Sequence, residues 1–215
     1  MTQSVDLFWS FRSPYCYLSM DRFFALPETL GITLNLRHVW PGAMRRTGYF
    51  DRLHANYAAY NGLDSQRIAD YLNIPYARPV PDPLVFDPET REPIADQPYI
   101  QNLTRLALAS RQLGQEIKFV RALMCLLWDG QVQGWDQNSY LENITRSQDL
   151  DWATLQQIAE KNVVEFDREV DTNGRLLEAA GHWGVPCAVV DGEPFFGQDR
   201  IEVLAWRLSQ KDRQK

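Results

Sequence analysis

The sequence predicts an α/β fold with a strand–helix–strand segment at its start, a strand–strand–helix segment at its end, and an all-helical block between them. Three observations predict it. Short apolar runs bounded by turn residues lie at both ends of the chain. An Asp191-Gly192 pair, typical of a β-hairpin turn, separates two of these runs. No convincing strand pattern occurs between residues 100 and 180.

The first forty residues predict a β-α-β unit. Residues 5–9 are apolar or aromatic apart from Asp6, which is typical of a buried strand. Ser13 followed by Pro14 fits a helix start, with the hydroxyl at the N-cap and the proline at the first helical position, and the helix is expected to end before Pro27. Residues 32–38 alternate between apolar and polar and so predict a half-buried strand. A right-handed crossover should join the two strands.

The middle of the chain is first rich in proline and then helical. Seven prolines lie from residue 75 to residue 98, which predicts an irregular connection. The apolar spacing predicts helices at residues 64–72, 102–112, 117–127, 136–145, 152–161 and 164–180.

The pattern then returns to strands. Residues 184–190 predict a strand that is entered through Pro186, and residues 193–196 predict its partner across the turn. Apolar residues at helical spacing from Ile201 onward predict a closing helix.

This order of elements, β-α-β … β-β-α, is that of a thioredoxin-like fold with a large all-helical insertion. We therefore predict a thioredoxin-like domain formed by residues 1–40 and 181–215 and an inserted helical domain at residues 41–180.

Composition restricts the function. The chain has 215 residues, 45% of them hydrophobic, so wholesale disorder is excluded. Its 22 Lys and Arg against 28 Asp and Glu give a net charge of −6 without a basic cluster, so neither nucleic acid nor an anionic membrane is expected as a partner. No apolar run is long enough to cross a bilayer, and no secretory signal is recognised. We expect a soluble protein of the cytoplasm.

The cysteines agree with this expectation, and the histidines bear on metal binding. The three cysteines (Cys16, Cys125, Cys187) have no CxxC spacing and cannot form a disulfide framework. The histidines have no metal-ligand spacing, so we predict no metal site.

The segment Ser13-Pro14-Tyr15-Cys16 lies where thioredoxin-like folds place a Cys-x-x-Cys motif. With Ser13 in place of the first cysteine, no disulfide can form within the segment. A hydroxyl remains at a helix N-terminus, where N–H groups and the helix dipole stabilise negative charge, so a bound thiol would ionise more readily there. By the same reasoning Cys16 is expected to be somewhat reactive. Alternatively, Ser13 is only a good N-cap.

Two features near the end of the chain match a peptide-binding site. If the Val185-Pro186 bond is cis and faces the first helix, the backbone of Val185 can pair with an extended peptide such as glutathione. The backbone N–H groups of Gln198 and Asp199, together with the Asp199 carboxylate, fit an amino-acid head group such as the γ-glutamyl end of glutathione. The alternatives are an ordinary trans X-Pro turn and a plain acidic helix start.

Together these motifs resemble a known family. The strings VDLFWSFRSPYCYLSM and GVPCAVVDGEPFFGQDRIEVLAWRL, with the helical block between them, are similar to the 2-hydroxychromene-2-carboxylate isomerases and the related kappa-class glutathione transferases. Both belong to the DsbA-like branch of the thioredoxin superfamily, and the resemblance covers essentially the whole chain.

The resemblance implies a glutathione-dependent cis-trans isomerase for 2-hydroxychromene-2-carboxylate or a related aromatic catabolite, with glutathione as cofactor. Ser13 matches the catalytic serine, whose hydroxyl donates to the glutathione sulfur. Val185 and Pro186 match the pair that binds the cysteinyl backbone, and Gln198 and Asp199 match the γ-glutamyl turn. The thiolate is implied to add to a conjugated enone and to leave after bond rotation. A homodimer is also implied.

The chain departs from the family at several positions. Tyr49 follows Thr47-Gly48 where the family often has Asn, and the position of a glutathione-binding Lys falls near Tyr57. Cys16 stands where many relatives have Ser. Both departures in the loop would weaken or re-route glutathione binding.

A substrate pocket is expected beside Ser13. Tyr15 and Cys16 follow Ser13 directly, while His38 and Trp40 end the second strand, where ligands of such sheets collect. For His38 a structural role at the strand end is the alternative.

Three other functions stay open. They are a kappa-like transferase that conjugates electrophiles, a monothiol DsbA-like oxidoreductase that uses Cys16, and a peptide-binding module without catalysis that uses the Val185 edge.

Overall fold

The structure, a computed structural model, describes residues 2–137 and 139–211, without the Lys211 side chain. The elements follow the chain in this order: β1 (Ser4–Trp9), α1 (Pro14–Phe24), α2 (Leu26–Leu30), β2 (Thr33–His38), α3 (Gly42–Arg45), α4 (Tyr57–Leu72), α5 (Ile100–Gln112), α6 (Glu116–Trp128), α7 (Tyr140–Ser147), α8 (Trp152–Lys161), α9 (Val163–Ala179), β3 (Cys187–Val190), β4 (Glu193–Phe196) and α10 (Ile201–Lys211).

Two compact units make up the fold. One comprises Met1–Trp40 and Val170–Lys215, and the other comprises Pro41–Glu169. The second boundary between the units thus falls within α9, at residues 169 and 170, whereas the sequence predicted it at residue 180. No helix among the described residues is long and apolar enough to cross a membrane.

The first unit carries a mixed four-stranded sheet in the order β2-β1-β3-β4. β1 runs parallel to β2, as a β-α-β unit requires, and antiparallel to β3, which pairs antiparallel with β4. Because β1 is central, its side chains from Leu7 to Trp9 are almost completely buried. Phe8 packs with Val39, Leu177 and Cys187, joining both ends of the chain in one core. The predicted thioredoxin-like arrangement is confirmed.

The first helix begins as predicted and, also as predicted, ends before Pro27. Ser13 is the N-cap in extended backbone, and Pro14 stands in the first turn. The helix breaks at Ala25, and Pro27 lies within the first turn of the short α2, where its missing N–H costs nothing. Gly31 closes α2 in the left-handed conformation (φ 63°).

The predicted hairpin is confirmed. Asp191 and Gly192 both have positive φ (50° and 80°), the conformation of the two-residue turn that a D-G pair favours. The turn sets the register in which Cys187 faces Phe196.

The second unit is helical, and among its described residues no strand occurs beyond an isolated bridge between Phe86 and Pro93. The proline-rich connection is irregular as predicted but well bonded. The buried Gln97 exchanges hydrogen bonds with the backbone of Val85 and donates to Ile94 O, each at 2.8 Å. Such bonds satisfy backbone groups that no helix or sheet reaches.

Two predicted helices have different starts. α4 begins at Tyr57, seven residues before the predicted start at Asp64. The prediction missed the first half of the helix because that half is exposed and lacks an apolar stripe. α7 begins at Tyr140 instead of Asp136, whose carboxylate accepts a hydrogen bond from Tyr99 at 2.8 Å.

Candidate active site

Ser13 joins the start of α1 to the start of the third strand. Its Oγ accepts a hydrogen bond from the Cys16 N–H at 3.2 Å and donates one to Val185 O at 3.3 Å. The residue is therefore an N-cap, and its proton also points at the backbone that precedes Pro186. The bond to Val185 O is long for a hydroxyl donor, so the Ser13 proton is only weakly held there.

The Val185-Pro186 peptide is cis, as predicted, and Pro186 is buried. Ser13 contacts Val185 on one side. On the other, Pro186 O accepts a hydrogen bond from Gly197 N–H at 2.9 Å. The cis pair thus lies between the helix start and the turn at residues 197–200, so the three motifs singled out in the sequence meet in space.

The turn at residues 197–200 leads into α10. Gly197 has a φ of 105°, and a Cβ there would come within 2.6 Å of Asp199 Oδ1, so the turn favours glycine. Arg200 N–H donates to Gly197 O at 3.2 Å, while the N–H groups of Gln198 and Asp199 make no hydrogen bond within the described residues. The exposed Asp199 carboxylate pairs with Arg200 at 2.6 Å. Free N–H groups beside a carboxylate are what a zwitterionic head group requires.

The prediction that Cys16 is reactive is wrong. The thiol is fully buried, and burial raises its pKa from 9.0 to about 12. Hydrogen bonds from Ser10 and Ser13 lower the pKa by less than burial raises it. Desolvation outweighs the helix N-terminus here because the Cys16 side chain points into the core instead of toward solvent.

The four residues predicted for a substrate pocket differ in exposure. Tyr15 is half-buried. His38, at 1% exposure, stacks on Phe11 with ring centroids 5.4 Å apart. Trp40 is buried at 7% exposure, and its Nε1 donates to Asp171 at 2.9 Å. The near-complete burial of His38 agrees with its structural alternative, and of the four residues Tyr15 is the most exposed.

The other two cysteines pack. Cys187 is fully buried, and burial raises the pKa of its thiol to about 12. Cys125 is half-buried in α6. No group of three or more His, Cys, Asp or Glu side chains capable of holding a metal ion occurs in the described ranges.

Both positions that depart from the family loop lie in the second unit. Tyr49 packs its ring over Gly42, where a Cβ would approach to 2.6 Å, and contacts Phe50 edge-on. Tyr57 opens α4 and is 44% exposed. Neither supplies the amide or ammonium that the family pattern would place there.

Two residues at the site were not predicted from the sequence. Arg22 Nη2, on α1, donates to Gln198 Oε1 at 2.5 Å. His182 stacks on Phe196 with centroids 3.9 Å apart, and its Nδ1 accepts from Gly184 N–H at 2.9 Å. No motif marks either residue. Arg22 in particular resembles any basic residue in a last helical turn, and its partner is 176 positions away.

Solved structures with the same fold include both isomerases and oxidoreductases. A 2-hydroxychromene-2-carboxylate isomerase is 20% identical, with a TM-score of 0.68 and coverage of 98% of this chain and 97% of that one. A probable DsbA oxidoreductase from Streptomyces coelicolor is 16% identical, with a TM-score of 0.68 and coverage of 99% and 91%. The cytosolic disulfide reductase DsbM from Pseudomonas aeruginosa is 16% identical, with a TM-score of 0.61 and coverage of 96% and 99%.

At these identities the likeness shows the fold alone. No match is found among curated protein sequences. The DSBA-like thioredoxin domain family matches residues 4–209, which is nearly the whole chain. The β-α-β and β-β-α segments, the helical insertion and the cis-proline beside the helix start all accord with that match, and the chain therefore belongs to the DSBA-like thioredoxin domain family.

Proposed function

We propose that the protein is a glutathione-dependent cis-trans isomerase that acts on 2-hydroxychromene-2-carboxylate or a related aromatic catabolite. One observation carries the proposal. A serine hydroxyl occupies the helix N-terminus beside the cis-proline backbone, while the neighbouring thiol of Cys16 is buried and its pKa is raised to about 12. The site can stabilise a thiolate and provides none of its own, which supports a working sulfur that comes from a bound thiol.

The residues present fit glutathione. The backbone of Val185, ahead of β3, would pair with the cysteinyl residue. The N–H groups of Gln198 and Asp199 would hold the γ-glutamyl carboxylate, and the Asp199 carboxylate would hold its ammonium. When bound, glutathione supplies a nucleophilic thiolate for reversible addition to a conjugated double bond.

The chain's own part is to stabilise that thiolate. Ser13 Oγ keeps its bond from Cys16 N–H and can turn its proton from Val185 O toward a sulfur. The exchange costs little because the Val185 bond is long, at 3.3 Å. The first turn of α1 adds the partial positive charge of a helix N-terminus. Once turned toward the sulfur, a donor of this kind needs no further reorganisation when the charge develops.

The oxidoreductase alternative is less well supported. Dithiol exchange requires a second thiol within the motif, and Ser13 replaces it. Monothiol exchange requires a thiolate, and at pH 7 a thiol with a pKa of about 12 is almost entirely protonated. Disulfide chemistry seen in proteins of the same fold does not transfer to a site that lacks these groups.

The test is turnover of 2-hydroxychromene-2-carboxylate with and without glutathione, with both the product and the glutathione measured by chromatography. The proposal predicts isomerisation that depends on glutathione, with the glutathione concentration unchanged over many turnovers. Consumption of one glutathione per product would establish the conjugating transferase instead. Product formation independent of glutathione would contradict both.

A further inference from the structure

Arg22 connects the far end of α1 to the turn at residues 197–200. It lies in the last turn of the helix, nine residues after Ser13, where the negative end of the helix dipole favours a cation. Helical side chains tilt toward the N-terminus, so its guanidinium reaches back in the direction of Ser13. There Nη2 donates to Gln198 Oε1 at 2.5 Å.

This contact fixes which way the Gln198 amide faces. A guanidinium only donates, so the amide atom that meets Arg22 must be the oxygen. The Nε2 group, with its two donors, then points elsewhere, and within the described residues it makes no hydrogen bond. Together with the backbone N–H groups of Gln198 and Asp199, it makes the turn rich in donors.

Three hydrogen bonds hold this arrangement in a closed ring that begins and ends on α1. Ser13 donates to Val185 O, Gly197 N–H donates to Pro186 O, and Arg22 donates to Gln198 Oε1. Ser13 and Arg22 are about 13 Å apart along the helix axis, so the ring holds this turn from two separate positions on the helix.

We propose that Arg22 is a positioning residue that sets the hydrogen-bond polarity of the Gln198 turn and thereby makes the site select thiols that bear a γ-glutamyl carboxylate. The inference rests on the proposed use of glutathione. Arg22 acts through Gln198: it holds the amide oxygen so that the amide nitrogen and backbone N–H groups face the carboxylate.

The experiment is calorimetric titration of the full-length protein with glutathione and with cysteinylglycine, which lacks the γ-glutamyl group. Arg22→Met removes the donor and keeps the length of the side chain, and Arg22→Lys keeps a donor. We expect Arg22→Met to weaken glutathione binding about ten-fold, as for one lost hydrogen bond to a charged group. Binding of cysteinylglycine should not change, and Arg22→Lys should restore most of the glutathione affinity.

Two further variants separate polarity from stability. In a Gln198→Ala background, Arg22→Met should cause no additional loss, because the coupling runs through the amide. Gln198→Glu should keep the contact with Arg22 and the melting temperature of the wild type. It should nevertheless weaken glutathione binding by at least as much as Arg22→Met does, because the amide nitrogen, a donor, is replaced by a carboxylate oxygen, an acceptor.

The outcomes distinguish the two proposals. Wild-type protein that binds no glutathione contradicts the proposed function and this inference with it. Wild-type protein that binds glutathione equally well after Arg22→Met contradicts only the role of Arg22. If Arg22→Met weakened the binding of glutathione and of cysteinylglycine equally, and did so in the Gln198→Ala background as well, Arg22 would have only a structural role.

Discussion

Removing the Ser13 hydroxyl should separate its structural role from its chemical role. In Ser13→Ala the Cys16 N–H loses its cap, at a cost of about 1 kcal/mol, and Val185 O loses a donor, at a further cost of up to about 1 kcal/mol. For a chain of this size the sum, about 1–2 kcal/mol, lowers the melting temperature by roughly 2–8 °C. The rate of the glutathione-dependent reaction should fall on the order of 10²-fold, because one preorganised donor to the developing thiolate is lost.

Ser13→Gly is the matched control. Glycine is nearly as good an N-cap as serine, within a few tenths of a kcal/mol, yet it also lacks the hydroxyl. Both variants should therefore lose the same activity, while Ser13→Gly retains more stability. Initial rates at saturating glutathione and thermal unfolding by circular dichroism measure the two quantities. Wild-type turnover in Ser13→Ala would refute the reasoning, since the hydroxyl would then be a cap and nothing more.

Three other changes test the thiols. Cys16→Ser should keep glutathione-dependent activity, and neither form should reduce disulfides above background with glutathione; robust reduction that vanishes with Cys16 would favour the oxidoreductase. Because the folded pKa of Cys16 is raised from 9.0 to about 12, its contribution to stability is complete below pH 9 and is lost as the pH rises toward 12. Denaturant unfolding from pH 8 to 11 should thus show a shallower decline in Cys16→Ala than in wild type, by up to about 1.4 kcal/mol per pH unit; equal slopes would contradict the buried, protonated thiol. Ser13→Cys should form a disulfide with Cys16 under oxidising conditions, seen as two fewer titratable thiols in denaturant than after reduction; an unchanged count would show that the motif geometry forbids the bond.

Local patterns predicted the fold because each end of the chain carries short motifs whose backbone conformation depends only on adjacent residues. Ser13-Pro14 starts a helix by its own chemistry, and Asp191-Gly192 closes a hairpin in the conformation that this pair favours. The start of α4 lacked such a signal. Its exposed first half, from Tyr57, has no apolar stripe, so periodicity could not find it.

The site was predictable only where its motifs resemble those of a known fold. The cis Val185-Pro186 bond and its approach to Ser13 were expected from the likeness of these motifs to thioredoxin-like folds. The direction in which Cys16 points does not, and desolvation by the core reversed the expectation of a reactive thiol. Arg22 could not be predicted, because its partner is reached only through the tertiary fold.

The central claim is that Ser13 and the start of α1 stabilise the thiolate of a bound glutathione. Its most direct test is the pKa of that thiol, followed by thiolate absorbance near 240 nm as the pH is varied, with protein alone as the baseline. The account predicts a pKa for bound glutathione at least about one unit below that of a free thiol, near 8.5, and a return toward the free value in Ser13→Ala. Glutathione that binds with an unshifted thiol pKa, or a shift that persists in Ser13→Ala, would contradict the account.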